Sequence, residues 1–357
     1  MSTDMTKDDL EQIHAVTAEI GTIFTWDYER SRVPLMKLYE KAKTSQWNAS
    51  TDLDWSIDVD PEKVADELGQ GGTARFQALA EADGSPVKHF GDKEWRQVGI
   101  ELQNSLLSQF MHGEQGALLC TARIVETVPW IDAKYYAATQ VVDEARHVEV
   151  FARYLDDKLG TQYGINENLK GILDDILSDP RWDMTYLGMQ IMVEGLALAA
   201  FGSMHKQAQE PLLKKLLRYV MSDEARHVAF GVLSLQEFYK ELTDAELRER
   251  QEFAFDVARR LQRRFAHAEM WSRMGVDPDE IYKTMDKVNP PAQQIFQQLL
   301  FSKIVPNCKK LGLLDAADGW LRQRFTEIGV IQFEDFADTG AEYESLDEVE
   351  KDRVATA

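Results

Sequence analysis

Apolar residues recur at helical spacing along nearly the whole chain. Leu10, Ile13, Val16 and Ile20 form the first such face and predict a helix from Asp8 to about Glu29. A short helix is expected after Pro34, followed by a loop over Trp47–Asp60. Four stronger segments occupy the centre: Glu94–Thr127, Trp130–Leu159, Arg181–Gln207 and Leu212–Lys240, with Pro129 dividing the first pair and Glu210-Pro211 the second. Three more helices are predicted over Asp244–Met274, Asp279–Met285 and Pro291–Leu311. Strand-like alternation with tight hairpin turns is missing. The pattern is that of an all-α bundle with flanking helices. Residues 1–90 supply N-terminal helices and a loop packed on the bundle, and 91–241 the four-helix core. Residues 242–314 add helices to the same domain, and 315–357 form an acidic C-terminal segment.

One internal repeat changes this from a fold statement to a chemical one. Asp143-Glu144-Ala145-Arg146-His147-Val148 recurs unchanged 80 residues later as Asp223-Glu224-Ala225-Arg226-His227-Val228. A single recurrence at this distance points to a duplicated helix pair rather than a solenoid. Each copy also has a partner 30 residues upstream, Glu114 before Glu144 and Glu194 before Glu224. At about 1.5 Å of rise per residue, a helix ascends, turns and descends to the same height over such an interval. Each upstream Glu should therefore stand level with its Glu-x-x-His, whose i and i+3 positions share a face. Two packed hairpins would bring Glu114, Glu144, His147, Glu194, Glu224 and His227 together. Four carboxylates and two imidazoles suit a pair of divalent first-row metals.

Charge supports the assignment. Glu194 sits in a strongly apolar run, where an unpaired carboxylate is costly. Two ferrous ions would neutralise the four glutamates. Glu144 and Glu224 should bridge or clamp the metals, with Glu114 and Glu194 completing the two coordination spheres and one His on each ion. Metal-bound His commonly donates its other ring N–H to a carboxylate. Asp223 is thus expected to orient His147 and Asp143 to orient His227, with Arg146 and Arg226 pairing with the aspartates. Helical spacing from the ligands predicts a pocket of Phe110, Ala117, Leu118, Thr121, Phe151, Gln190, Ile191, Ala197, Leu198 and Phe201. Its apolar character suits dioxygen and a small hydrophobic substrate.

Sixty-one acidic residues against 40 basic ones give a net charge of −21, which argues against nucleic acid and anionic membranes as partners. Asp52, Asp54, Asp58 and Asp60 lack the calcium-loop pattern and read as a solvated loop. Two cysteines, Cys120 and Cys308, exclude a disulfide framework and a Cys-rich metal site. With no signal peptide and no uninterrupted spanning segment, a cytoplasmic location is expected. His14, His89, His112, His205 and His267 read as structural or exposed. Arg259, Arg260, Arg263 and Arg264 make the one basic cluster. It would dock an acidic electron-transfer partner or an anionic substrate group, or simply pair with the chain's many acids, which is the preferred reading.

Glu114 with the doubled Glu-x-x-His and Glu194 resembles the ferritin-like di-iron carboxylate proteins over about residues 90–240. The similarity is to their oxygen-activating branch: multicomponent monooxygenase hydroxylases, ribonucleotide reductase small subunits, acyl carrier protein desaturases and arylamine N-oxygenases. The resemblance implies a di-iron site reduced to the diferrous state, with manganese an alternative at one or both positions, and reaction with dioxygen. It also implies an external electron donor, a reductase or ferredoxin, and a homodimer. Several positions depart from particular members. Glu114 replaces the Asp usual in the reductase subunits, and Phe151 replaces their radical Tyr. Val220 stands where the arylamine N-oxygenases carry an additional His. Leu198 stands where the multicomponent enzymes have Thr, although the doubled Asp-Glu-x-Arg-His most resembles that group.

The resulting expectation is an oxygenase that hydroxylates or otherwise oxidises a small hydrophobic substrate, with N-oxygenation or desaturation as alternative outcomes. The competing class is a radical-generating, ferroxidase or metal-handling protein. A bundle that has lost its chemistry is disfavoured, because all six ligands are present.

Overall fold

The computed structural model describes residues 14–65, 74–288 and 299–336. Among these residues the secondary structure is helical, with no strand. Helix α1 spans Val33–Thr44, α2 Ala74–Ala80, α3 Asp92–Thr127 and α4 Ile131–Tyr154, the last extended by wide π-helical turns over Leu155–Leu159. Helix α5 follows at Glu167–Ser178. Helix α6 runs over Trp182–Gln207, with a π-helical stretch at Leu187–Val193. Then come α7 (Pro211–Phe238), α8 (Asp244–Arg264), α9 (Ala268–Arg273), α10 (Pro278–Val288), α11 (Ile304–Lys310) and α12 (Trp320–Glu327).

The bundle is two antiparallel hairpins, α3 against α4 and α6 against α7. Both turns are set by proline chemistry. Val128, just before Pro129, is extended and closes α3, as the residue preceding a proline prefers. At the second turn Pro211 occupies the first helical position of α7, and the Glu210 carboxylate accepts from the Leu212 and Leu213 amides at 2.7 and 2.6 Å. This cap satisfies donors that a helix start leaves unpaired. Helix α6 is apolar and long enough to cross a membrane, but 89% of its most apolar window is buried inside the protein. Its hydropathy follows from being surrounded by the bundle.

Close packing fixes how the neighbours approach. A Cβ at Gly188 would lie 2.5 Å from Ile176 Cγ1, so α5 rests directly on the α6 backbone. Helix α1 lies over α4 and α7, while α8 packs on α5 and on the π-helical stretch of α6.

The four central helices match their predicted spans to within two residues, but three predictions fail, one of them because the described part of Pro291–Leu311 is interrupted by a turn at 301–303 before α11. Residues 14–32 are not helical. The apolar spacing there is real, but the segment is bound across the first hairpin turn. Ile23 N donates to Glu126 O at 2.8 Å, Thr25 Oγ1 to Pro129 O at 2.8 Å, and Arg30 pairs with buried Asp132. These tertiary partners replace the intrahelical bonds. The predicted Asp244–Met274 helix is broken after Arg264, where His267 takes φ 55°. The remainder of the first predicted helix, residues 8–13, lies outside the described residues. So do 291–298 of the Pro291–Leu311 helix and the acidic segment from residue 337.

Candidate metal centre

The six residues singled out by spacing converge at mid-bundle, all buried. Glu114, Glu144, His147 and Glu224 offer ligand atoms within 4.8 Å of one another, as do Glu144, Glu194 and His227. Glu144 thus belongs to both groups. His147 Nδ1 lies 3.1 Å from Glu114 Oε2 and 3.1 Å from Glu224 Oε1. His227 Nδ1 lies 3.1 Å from Glu144 Oε1 and 3.5 Å from Glu224 Oε1. Glu224 therefore also faces both imidazoles, which stand 5.8 Å apart. This is the disposition expected of two central and two outer carboxylates.

The opposite ring nitrogens point outward to the aspartates. His147 Nε2 meets Asp223 Oδ2 at 3.1 Å, and His227 Nε2 meets Asp143 Oδ2 at 3.3 Å. Each contact crosses between hairpins, as expected from the sequence. With Nε2 as donor, each ring leaves Nδ1 free to act as a ligand. Arg146 binds Asp143 at 2.5 Å and Asp223 at 3.1 Å, and Arg226 binds Asp223.

Burial and mutual charge set the ionisation of the cluster. Burial raises the Glu114 and Glu194 carboxyls well above their ordinary range, and the neighbouring carboxylates push the same way. Burial opposes Glu144 as well, but the two imidazoles outweigh it and hold this carboxyl low. The histidines show the converse: burial disfavours their charge, yet the surrounding carboxylates raise both well above the usual value.

The donor set fits a metal pair. Glu144 Oε2, Glu194 Oε2, both Glu224 oxygens and His227 Nδ1 are buried without a hydrogen-bond partner in the protein. Such atoms are costly to leave unsatisfied, and all of them belong to residues of the two ligand groups.

A cavity of about 20 Å³ adjoins it, lined by Glu114, Glu194, Glu224, Phe110, Ala117 and Ala197. That volume admits a molecule the size of water. Met189, Val193 and Arg264 also line it. Of the predicted pocket, only Phe110, Ala117 and Ala197 do so. Leu118 is half-buried on the flank of α3. Phe151 and Phe201 stack on each other 5.7 Å apart, and Gln190 turns to Thr121 at 3.5 Å. Ile191 and Leu198 pack in the core. The π-helical stretch explains the shift on α6. The Glu194 amide bonds back to Met189 O, so the residue one turn before Glu194 is Met189 rather than Gln190.

Three supporting residues escaped sequence reasoning. Gln140 donates to Glu144 at 2.8 Å and to Glu194 at 3.1 Å. Its place one turn before Glu144 was an available signal. Gln46 donates to Asp143 at 3.0 Å, and Trp47 Nε1 donates to Asp223 at 2.7 Å. Trp47 also lies under the Arg146 guanidinium, 4.6 Å from its carbon. Both follow α1 at the start of the Trp47–Asp60 loop, and nothing in their spacing links them to the repeats.

Residues 29–312 match the family model described as p-aminobenzoate N-oxygenase AurF. The chain belongs to this family. It is accordingly an oxygen-activating di-iron oxygenase of the ferritin-like superfamily, and the match falls on the N-oxygenase member of the group it resembles in sequence. Val220, at the position of the additional His of arylamine N-oxygenases, is a fully buried apolar side chain. Among solved structures, an R2-like ligand-binding oxidase variant with an anaerobically reconstituted Mn/Fe cofactor aligns at TM-score 0.50 and 18% identity, over 80% of this chain and 94% of that one. An R2-like ligand-binding oxidase with an aerobically reconstituted metal cofactor after photoconversion aligns at TM-score 0.49 and 18% identity, over the same shares. The first likeness concerns the fold alone. No curated protein sequence matches significantly.

Proposed function

We propose that this oxygenase oxidises a small, largely hydrophobic substrate at the six-residue centre, with an amine nitrogen as the preferred target. Convergence of Glu114, Glu144, His147, Glu194, Glu224 and His227 around unsatisfied ligand atoms carries the reading. The amine preference rests on family membership, whose model is named for p-aminobenzoate N-oxygenation. When bound, two iron ions supply the electrons and Lewis acidity for reaction with dioxygen. The chain's own residues hold and shield that chemistry. His147 and His227 present Nδ1 inward because Asp223 and Asp143 engage Nε2. Gln140 holds Glu144 and Glu194 from one side. Phe110, Met189, Val193 and Ala197 exclude bulk water from the adjoining cavity. An external electron donor restores the reduced state between turnovers, and a homodimer is the working assembly.

A second reading, hydroxylation at carbon, is favoured by Val220, which leaves the centre two imidazoles rather than three. The deciding experiment reduces the iron-loaded protein anaerobically, adds dioxygen, and follows optical and Mössbauer spectra across arylamines and matched hydrocarbons. Arylamines should accelerate decay of the oxidised species and take up oxygen-18 at nitrogen. Label at carbon alone supports the second reading, and no reaction with dioxygen removes both.

A further inference from the structure

The expected pairing of the basic cluster with the chain's own acids holds for one of its four arginines. Arg260 binds Asp175 at 2.6 Å and Asp256 at 2.8 Å. Arg264 lines the inner cavity beside the glutamates. Arg259 and Arg263 are exposed and, four residues apart, share one face of α8. Neither guanidinium makes a hydrogen bond or ion pair with any described residue. In a chain of net charge −21, this is not for want of acids. Both line a groove of about 570 Å³, a volume typical of small-molecule sites. Four elements meet there: the end of α8, the first turn of α5, α10, and the residue that closes α12.

The other groups of the groove are equally unengaged. The side-chain amides of Asn168 and Gln262 and the phenol of Tyr282 line it, and none makes a hydrogen bond with a described residue. Burial pushes the Tyr282 phenol up to about 12, with Glu269 and Asp279 acting in the same direction, so it stays an O–H donor at neutral pH. Met285 and Ile328 add apolar surface, and Asp286 adds a carboxylate. These groups specify a ligand. Each guanidinium is a planar fork of donors, and one carboxylate fills one fork. A phosphate monoester carries about two negative charges and three acceptor oxygens, enough for both forks. Asp286 repels a second phosphate and accepts from a hydroxyl or ring N–H. The Tyr282 ring, with Met285 and Ile328, offers a surface for a flat ring, whose polar edge the two amides match as donor and acceptor.

We propose that this groove binds a phosphate monoester of a flat heteroaromatic ring, with Arg259 and Arg263 on the phosphate and Tyr282 against the ring. The site is separate from the metal centre. Consecutive residues of α8 divide the two, Arg263 lining the outer groove and Arg264 the inner cavity. The inference does not depend on the reaction proposed above.

The test measures binding by calorimetry to the metal-loaded full-length protein. Probes are flavin mononucleotide and adenosine monophosphate, each against its phosphate-free form (riboflavin or adenosine), and inorganic phosphate alone. At least one monophosphate should bind about tenfold or more tightly than its phosphate-free form and than inorganic phosphate. Arg259→Gln with Arg263→Gln should bring that monophosphate down to the level of its phosphate-free form. Both positions are exposed, so the thermal midpoint should not move. Tyr282→Leu should weaken the monophosphate several-fold and leave inorganic phosphate as it was. Arg260→Gln is the control, because its guanidinium is already held by Asp175 and Asp256, and binding should be unchanged. A monophosphate that binds the double arginine variant as tightly as wild type is held by the metals instead, and overturns the inference. An equal loss in Arg260→Gln reduces the effect to general surface charge and also overturns it. So does a wild-type protein that prefers neither monophosphate over its phosphate-free form, a comparison that needs no variant. No probe is oxidised in these measurements, so neither outcome bears on the proposed reaction.

Discussion

His147 on α4 hands its outer ring nitrogen to Asp223 on α7, 3.1 Å away and from the opposite hairpin. The contact fixes which nitrogen faces the metals. Replacing either aspartate should therefore weaken metal binding without removing a ligand. Asp143→Ala and Asp223→Ala are expected to lose about 10- to 100-fold in iron affinity, read by competitive chelator titration. Unchanged affinity and unchanged turnover in both would show that the rings are held by packing alone.

Glu194 tests the chemistry itself. Its apolar surroundings on α6 offer no other carboxylate to take its place on that helix. Glu194→Ala should retain the helical circular dichroism of the wild type but consume no dioxygen after chemical reduction. Oxygen uptake at the wild-type rate would remove Glu194 from the centre.

Gly188 tests the packing of α5 against the wide turns of α6. Alanine is the better helix former, but its Cβ would sit 2.5 Å from Ile176 Cγ1 and 2.8 Å from Cδ1. The steric cost should win, giving a loss of about 1–3 kcal/mol in urea unfolding. Truncating the partner should relieve it, so Gly188→Ala should cost measurably less in an Ile176→Ala background.

Both thiols should be silent in the folded protein. Burial raises Cys120 far above its usual range and Cys308 to about 12, and the thiolate is the reactive form. Ellman's reagent at pH 8 should find no thiol in the native protein and two after unfolding. Prompt labelling of either in native buffer would show that its helix opens locally.

Acid stability should depend in part on two helix starts. Glu94 accepts from the Gly91 amide and Glu246 from the Thr243 amide, and these backbone bonds hold both carboxyls below their ordinary 4.5. A lowered folded-state value stabilises above the unfolded value and is lost as pH falls through the folded one. Glu94→Gln with Glu246→Gln should therefore flatten the loss of thermal stability below about pH 4.5. An unaltered acid limb would assign that loss to other carboxylates.

The centre was legible because its geometry is written in intervals that helices preserve. Thirty residues between Glu114 and Glu144 survive as equal height only because α3 and α4 are regular and turn at Pro129. The Asp–His crossing was readable for the same reason. The pocket was not, because Leu187–Val193 abandons the 3.6-residue period and advances Met189 into the place expected for Gln190. Trp47 was invisible because its role depends on α1 crossing α4 and α7, a tertiary fact without a sequence interval. Residues 14–32 misled for a related reason. Their helical spacing was outweighed by partners at Glu126, Pro129 and Asp132, a hundred residues away.

The crossing of Asp143 and Asp223 also defines the smallest unit that could be inherited. Within one hairpin, the aspartate and the histidine of the same hexapeptide do not serve each other. Each needs the copy, as in a two-fold interface where one patch answers itself. A lone hairpin would keep its Arg–Asp pair but leave its imidazole without a carboxylate to fix the outer ring nitrogen. The repeated hexapeptides therefore behave as the two faces of a self-complementary dimer fused into one chain, and a change in either copy is felt in the half-site of the other.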